Sequence, residues 1–176
     1  MSVYIRKLTK QDATSSHQLL LRNREMLRPF QPIRSESSNT LDAHYTMIQN
    51  LERNWQADRA YGFGIFLKDS EQLIGRVNLD NVSRGAWQNC TIGYHLDQEY
   101  HGRGYMTEAV RLAVNYAFHN LKLHRVQAAV MPHNLASHRV LEKVGFQKEG
   151  FSPKYLQING VWEDHVLYAI TVENWI

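Results

Sequence analysis

The sequence predicts a mixed α+β domain: a mostly antiparallel sheet of about six to seven strands flanked by about four helices. Three observations carry this. Some apolar segments alternate every second residue and others recur every three to four, so both strand and helix periods are present. Two turn signals, Lys68 to Gln72 and Asn159-Gly160, each separate β-rich runs as a hairpin does. The two periods also interleave along the chain, as expected of helices covering a sheet. With 176 residues, 43% of them hydrophobic, the chain is long enough for one well-buried core, and residues 1–176 are read as a single domain.

Val3, Ile5 and Leu8 mark a short opening strand. A helix follows from about Gln11 to Asn23, with Asp12 at its start and Leu19 to Leu21 turned inward. Pro29, Pro32 and the polar run Ser35 to Asn39 then break regular structure. Leu41 to Ala57 returns to helical spacing, with Ala43, Met47, Leu51 and Trp55 four apart on one face. Tyr61 to Leu67 and Leu73 to Leu79 form the first hairpin, and Cys90 to Leu96 a third strand beside it. Met106, Val110, Ala113 and Ala117 stripe the next helix. Val126 to Val130 is a short strand, and Leu135 to Val144 a helix stopped by Gly145. Gln147 to Gln157 and Val161 to Ile170 close the chain as the second hairpin.

Composition excludes several classes of function. Twenty Lys and Arg against seventeen Asp and Glu give a formal charge of +3, too small and too scattered for a nucleic-acid or membrane surface, though compatible with an anionic ligand. Cys90 is the only cysteine, so no internal disulfide forms and no zinc site can rest on thiolates. Leu8 to His17 is polar and lacks a signal-peptide core, and no apolar run approaches the roughly 18 residues of a membrane helix. The expectation is a soluble protein of a reducing, cytoplasmic compartment. Nine histidines show neither a helical i, i+4 pair nor a cysteine-rich cluster, so no metal is expected.

Gly102-Arg103-Gly104 lies between the third strand and the helix that begins near Tyr105. Glycines there let consecutive backbone N–H groups face one anion at a helix N-terminus, where the dipole also favours negative charge. A plain strand-to-helix turn also uses glycine, so the pair alone is weak evidence. A dinucleotide fingerprint wants a third glycine where Thr107 stands. A P-loop wants Lys and then Ser or Thr where Tyr105-Met106 stand. The turn is a diphosphate cradle of another type.

Gln98 to Ala109 resembles the acetyl-CoA pyrophosphate loop of the GNAT superfamily of N-acetyltransferases. Asn134-Leu135-Ala136-Ser137 and Lys143-Val144-Gly145-Phe146 resemble that superfamily's following helix. Glu99 departs from the Gln or Arg usual three residues before the first glycine. Leu27-Arg28-Pro29-Phe30, Arg84-Gly85, Met131-Pro132-His133-Asn134, Lys148-Glu149-Gly150 and Asp164-His165-Val166-Leu167 look more narrowly like the RimJ and RimL-like ribosomal-protein alanine N-acetyltransferases.

The resemblance implies a GNAT fold and roles for particular residues. Tyr94, His95, Leu96 and Asp97 would pair with the pantetheine arm of acetyl-CoA where their strand splays from its neighbour. Gly102, Arg103, Gly104, Tyr105, Met106 and Thr107 would hold the pyrophosphate. Asn134 either contacts the cofactor or caps its helix. Ser137 would contact the cofactor and protonate the departing thiolate. Arg139 and Lys143 either meet the adenosine phosphates or form a solvated helix face. His95 and Glu25 are the candidates for general base, and Phe30 and Tyr155 for acceptor contact.

The resemblance further implies direct acetyl transfer to the N-terminal alanine of the fifth protein of the small ribosomal subunit, with that protein and CoA as partners and the enzyme a monomer or homodimer. An α-amine with a pKa near 8 is roughly a tenth neutral at pH 7, against well under a thousandth for lysine, so this acceptor needs only a modest base. Cys90 in mid-strand without a histidine partner argues against a thiol intermediate. Two rivals remain. One is an acetyltransferase of a small amine such as a polyamine, aminoglycoside or amino acid, which acidic residues in the acceptor pocket would favour. The other is a non-catalytic acyl-CoA-binding module in ribosome assembly.

Overall fold

Val3–Lys7 (β1) begins a seven-stranded sheet in the computed structural model, which describes residues 2–176. The helices Ala13–Leu27 (α1) and Leu41–Gln56 (α2) follow, then the strands Tyr61–Leu67 (β2), Leu73–Ser83 (β3) and Asn89–Leu96 (β4). Tyr105–His119 (α3), Arg125–Val130 (β5) and Leu135–Val144 (α4) lead to the final hairpin, Gln147–Ile158 (β6) and Val161–Thr171 (β7). The strand order is β1-β2-β3-β4-β5-β7-β6, antiparallel throughout except for the parallel pair β4 and β5. The sheet and the four α-helices match the predicted order element by element.

Strand register assigns the two faces. Val77, Leu79, Cys90, Ile92, Val126, Ala128 and Tyr168 share one face and form the main core with Met106, Val110, Ala113 and Ala117 of α3 and Leu141 of α4. Leu8, Ala13, Leu19, Ile48, Phe66 and Leu73 form a second cluster under α1 and α2 on the opposite face. Close approach there depends on glycine: a Cβ at Gly62 would lie 2.7 Å from Leu51 and one at Gly64 2.7 Å from Leu8. Leu141 is fully buried in the main core. Leu141→Ala is therefore expected to lower the unfolding free energy by about 2–5 kcal/mol, measured by chemical denaturation, from lost transfer energy and the cavity left behind.

The helix faces differ from the expectation in two places. α1 runs on to Leu27, and Leu21 is 46% exposed while Leu19 is buried, because at 100° per residue three consecutive leucines cannot all face inward. In α2 the buried positions are His44 and Ile48, while Ala43, Met47, Leu51 and Trp55 flank them half-buried. α4 keeps its predicted limits. Asn134 accepts from the Ser137 N–H at 3.3 Å as its N-cap, and Gly145 leaves it at φ 110°. The closing turn has Asn159 at φ 48° and Gly160 at φ 80°, the left-handed pair that such hairpins require. Among the described residues, no helix is long and apolar enough to cross a membrane.

Candidate active site

The parallel pair β4 and β5 holds together only at Asn89–Thr91 and Arg125–Gln127. Beyond Thr91 the strands part, and the β5-facing edge of residues 92–96 is left without a strand partner. Around this gap lies a cleft of about 620 Å³, within the range of small-molecule sites. Alternation along β4 sends Tyr94 to the α3 and α4 face and His95, in register with Arg76, to the α1 and α2 face. Both line the cleft, which therefore has two halves.

The glycine turn lies just past the end of β4. Gly102 and Gly104 have φ values of 75° and 82°, and a Cβ at either would meet nothing within 4 Å. The left-handed backbone is thus required by the turn's shape rather than by crowding. Gly104 precedes the first turn of α3, where Glu108 N–H donates to the Gly104 carbonyl, so the N–H groups of Tyr105, Met106 and Thr107 have no partner within the helix. Three donors at the positive end of a 15-residue helix fit an anionic oxygen group such as a pyrophosphate. Arg103 lies over the Tyr100 ring, 5.5 Å from its centroid, which steers its cation along the turn's surface.

The loop is fastened by groups the sequence reading assigned otherwise. Asp97 is 1% exposed. Its carboxylate takes the Arg22 Nε–H at 2.5 Å and the Glu99 N–H at 3.2 Å, while its own N–H donates to Ile74. Its polar atoms are used in holding the loop to α1 and β3, so Asp97 serves as an anchor of the loop. Asn23 assists by accepting from the Gln98 N–H at 2.9 Å. The Leu96 carbonyl accepts from His101 at 2.9 Å and the Leu96 side chain joins the main core.

In the α4 half, the Tyr94 hydroxyl stands 2.7 Å from Ser137 Oγ, and Asn134 lines the same wall. Burial raises the Tyr94 phenol above its ordinary value, so it stays protonated at neutral pH. Tyr94 was expected only as a backbone contact. Arg139 and Lys143 are exposed on α4. Cys90 is buried and its thiol pushed up to about 12 by desolvation, which keeps it from acting as a nucleophile.

The opposite half is lined by Arg76, Asn78 and Asp80 along β3, His95 on β4, His165 on β7, and Ser16 and His44 from α1 and α2. Phe30 lines it too, on a loop tied across the opening by the Asn159 N–H donating to the Gln31 carbonyl at 2.8 Å. Tyr155 does not line the cleft. It lies against His165, ring centroids 5.8 Å apart, while its neighbours Leu156 and Ile158 form the wall. Glu25 does not line the cleft; it is exposed and paired with Arg28 at 3.3 Å, so the structure does not bring it beside His95. No group of three or more His, Cys, Asp or Glu that could hold a metal occurs among the described residues.

Burial and the nearby Arg76 hold His95 down at about 3. Burial, then the charges of His17 and Arg76, hold His44 at about 4. Both rings are neutral in the folded protein at neutral pH and must charge when the chain unfolds below about pH 6.5. Folding stability is therefore fully present above that pH and falls as pH drops toward 4. Denaturant unfolding at pH 7 and at pH 4.5 should show this loss, and His44→Asn should make it smaller.

The family model for the acetyltransferase (GNAT) domain matches residues 2–147. A probable N-acetyltransferase of Bacillus subtilis, YjcK, is 47% identical over 169 residues, covering 96% of this chain and 93% of its own. The ribosomal protein uS5-alanine N-acetyltransferase of Escherichia coli is 35% identical over 171 residues, covering 97% and 88%. Mycobacterium smegmatis RimJ, solved in complex with CoA-disulfide, superposes with a TM-score of 0.93 at 30% identity, covering 97% of this chain and 82% of that one. A glycine turn at a helix mouth, a sheet that parts beside it and these relatives converge: the chain belongs to the GNAT family and is an N-acetyltransferase.

Proposed function

We propose that the enzyme transfers an acetyl group from acetyl-CoA to the N-terminal α-amine of a protein, in one step within a ternary complex. The observation that carries this is the two-sided cleft at the β4 and β5 gap, which gives donor and acceptor separate walls that meet between Tyr94 and His95. The amides of Tyr105, Met106 and Thr107 bind the donor's pyrophosphate, and the open edge of residues 92–96 offers backbone groups to its pantetheine arm. Backbone N–H groups on this edge polarise the thioester carbonyl. As the amine nitrogen bonds to the carbonyl carbon and the carbon–sulfur bond breaks, Ser137, backed by the protonated Tyr94 hydroxyl, donates a proton to the leaving thiolate.

The amine proton leaves on the other side. His95 is neutral and lines the wall there. Asp80, a carboxyl raised by burial, is a second acceptor in the same half, one that sequence reading missed. Neither is a strong base, which suits an α-amine and not a lysine. The small-amine rival prefers an acidic pocket, whereas Arg76 and Arg34 oppose the single acid Asp80 here. The likeness to ribosomal-protein alanine acetyltransferases supports the N-terminal alanine of a small-subunit ribosomal protein as acceptor, which puts the enzyme's work in the cytoplasm.

The test compares acetylation rates on peptides starting with Ala, Ser or Met against free amines. Faster transfer to Ala-starting peptides is expected. Preference for polyamines would overturn the acceptor and leave the fold and donor intact.

A further inference from the structure

The acceptor half carries more polar groups than the transfer needs. Arg76 Nε, His44 Nε2 and His95 Nδ1 are buried, and none has a hydrogen-bond partner among the described residues. A buried polar atom left unpaired loses its hydration with nothing in return, and native structures leave few so. Three on residues lining one cleft mark a place completed by something from outside.

Arg76 is the centre of the group. Its other nitrogens reach only neutral acceptors, Met47 Sδ at 3.4 Å and Asn78 Oδ1 at 3.2 Å, and Asp80 attracts it through space without a hydrogen bond. Desolvation brings it down to about 10, the mark of a cation held away from water without a hydrogen-bonded counter-charge. Arg34, exposed on the loop over the cleft, adds a second positive charge. A planar fork of N–H donors matches a carboxylate in shape and charge.

We propose that Arg76, with His44 and His95, forms a carboxylate-binding subsite that selects amines carrying an acidic group close by. Arg76 is directly in register with His95, the neighbour of Tyr94, so the carboxylate lies within a residue or two of the reacting nitrogen, at about 3.3 Å per residue. It is supplied by an acidic side chain near the start of a peptide or by the α-carboxylate of a free amino acid. This inference rests on the α-amine reading above and names its acceptor class.

The experiment uses the full chain at saturating acetyl-CoA with four acceptors: two Ala-starting peptides differing only in Glu or Gln at the second position, free alanine, and spermidine. The KM of the Gln peptide is expected to exceed that of the Glu peptide by at least about tenfold. That ratio should fall to about one in Arg76→Met and persist in part in Arg76→Lys, which keeps the charge and carries the test if the methionine variant fails to fold. A ratio near one in the unmodified enzyme, or one that survives Arg76→Met, overturns the subsite while peptide acetylation stands. Free alanine preferred over both peptides, with that preference lost in Arg76→Met, retains the subsite and overturns the peptide acceptor. Preference for spermidine overturns both.

Discussion

Gly104→Val is expected to weaken acetyl-CoA binding by about 100-fold while lowering the melting temperature of the free protein by only a few degrees. A β-branched residue at φ 82° carries strain of about 1–3 kcal/mol, which the turn relieves by abandoning its left-handed shape. The amides of Tyr105, Met106 and Thr107 then no longer converge on one point, and the binding energy of the pyrophosphate is lost with them. A hundredfold corresponds to about 2.7 kcal/mol. The rest of the fold is spared, because the added Cβ meets nothing within 4 Å. Gly104→Ala, with less branching, should lose less. Calorimetric titration with acetyl-CoA decides the matter, and unchanged affinity in the valine variant would remove the turn from the site.

Ser137→Ala should lower kcat by about 10²–10³ with the KM for acetyl-CoA changed less than about threefold, since the hydroxyl is proposed to act only as the carbon–sulfur bond breaks. Tyr94→Phe should cost about tenfold, because Ser137 Oγ loses the phenol 2.7 Å away that supports it but keeps its own proton. The double variant should be about as slow as Ser137→Ala alone: two hydroxyls in series form one unit, and removing the terminal donor removes the use of its supporter. Losses that multiply would mean the two act independently. Rates are best read in a single-turnover experiment, where product release does not mask the chemical step.

The succession of strands and helices along the chain, the limits of α4 and the closing turn could be read from the sequence because each has a local cause. Asn134, Gly145 and Asn159-Gly160 act within a few residues of themselves. The acceptor half could not. Arg76, Asn78 and Asp80 alternate with Val77 and Leu79, the pattern of a strand with one wet face. Only the packing of α1 and α2 over that face makes it the wall of a cleft, and nothing in the spacing of β3 distinguishes a covered polar stripe from a solvated one. The anchoring of Asp97 was hidden for a similar reason: its partner Arg22 comes from α1, 75 residues away in sequence. Phe30 lies over the opening on a turn flanked by Pro29 and Pro32, while Tyr155 and Glu25 lie just off the cleft, on an adjoining wall and an outer helix face.

The parting of β4 from β5 has a cost of its own. A strand released from its neighbour in mid-sheet exposes the same row of unsatisfied amides and carbonyls as a sheet's outer edge, the feature by which one chain templates aggregation of another. Here that edge is internal, short and flanked by the walls of the cleft, so a second chain cannot readily reach it, whereas a slender ligand arm can. Filling it stabilises only the native state, by RT ln(1 + [L]/Kd), about 2.7 kcal/mol at a hundred times the dissociation constant. Amides in residues 92–96 facing the gap should exchange hydrogen quickly in the free enzyme and slowly with donor bound. The donor-free enzyme is therefore expected to be cleaved faster by an added protease than the same enzyme with acetyl-CoA bound.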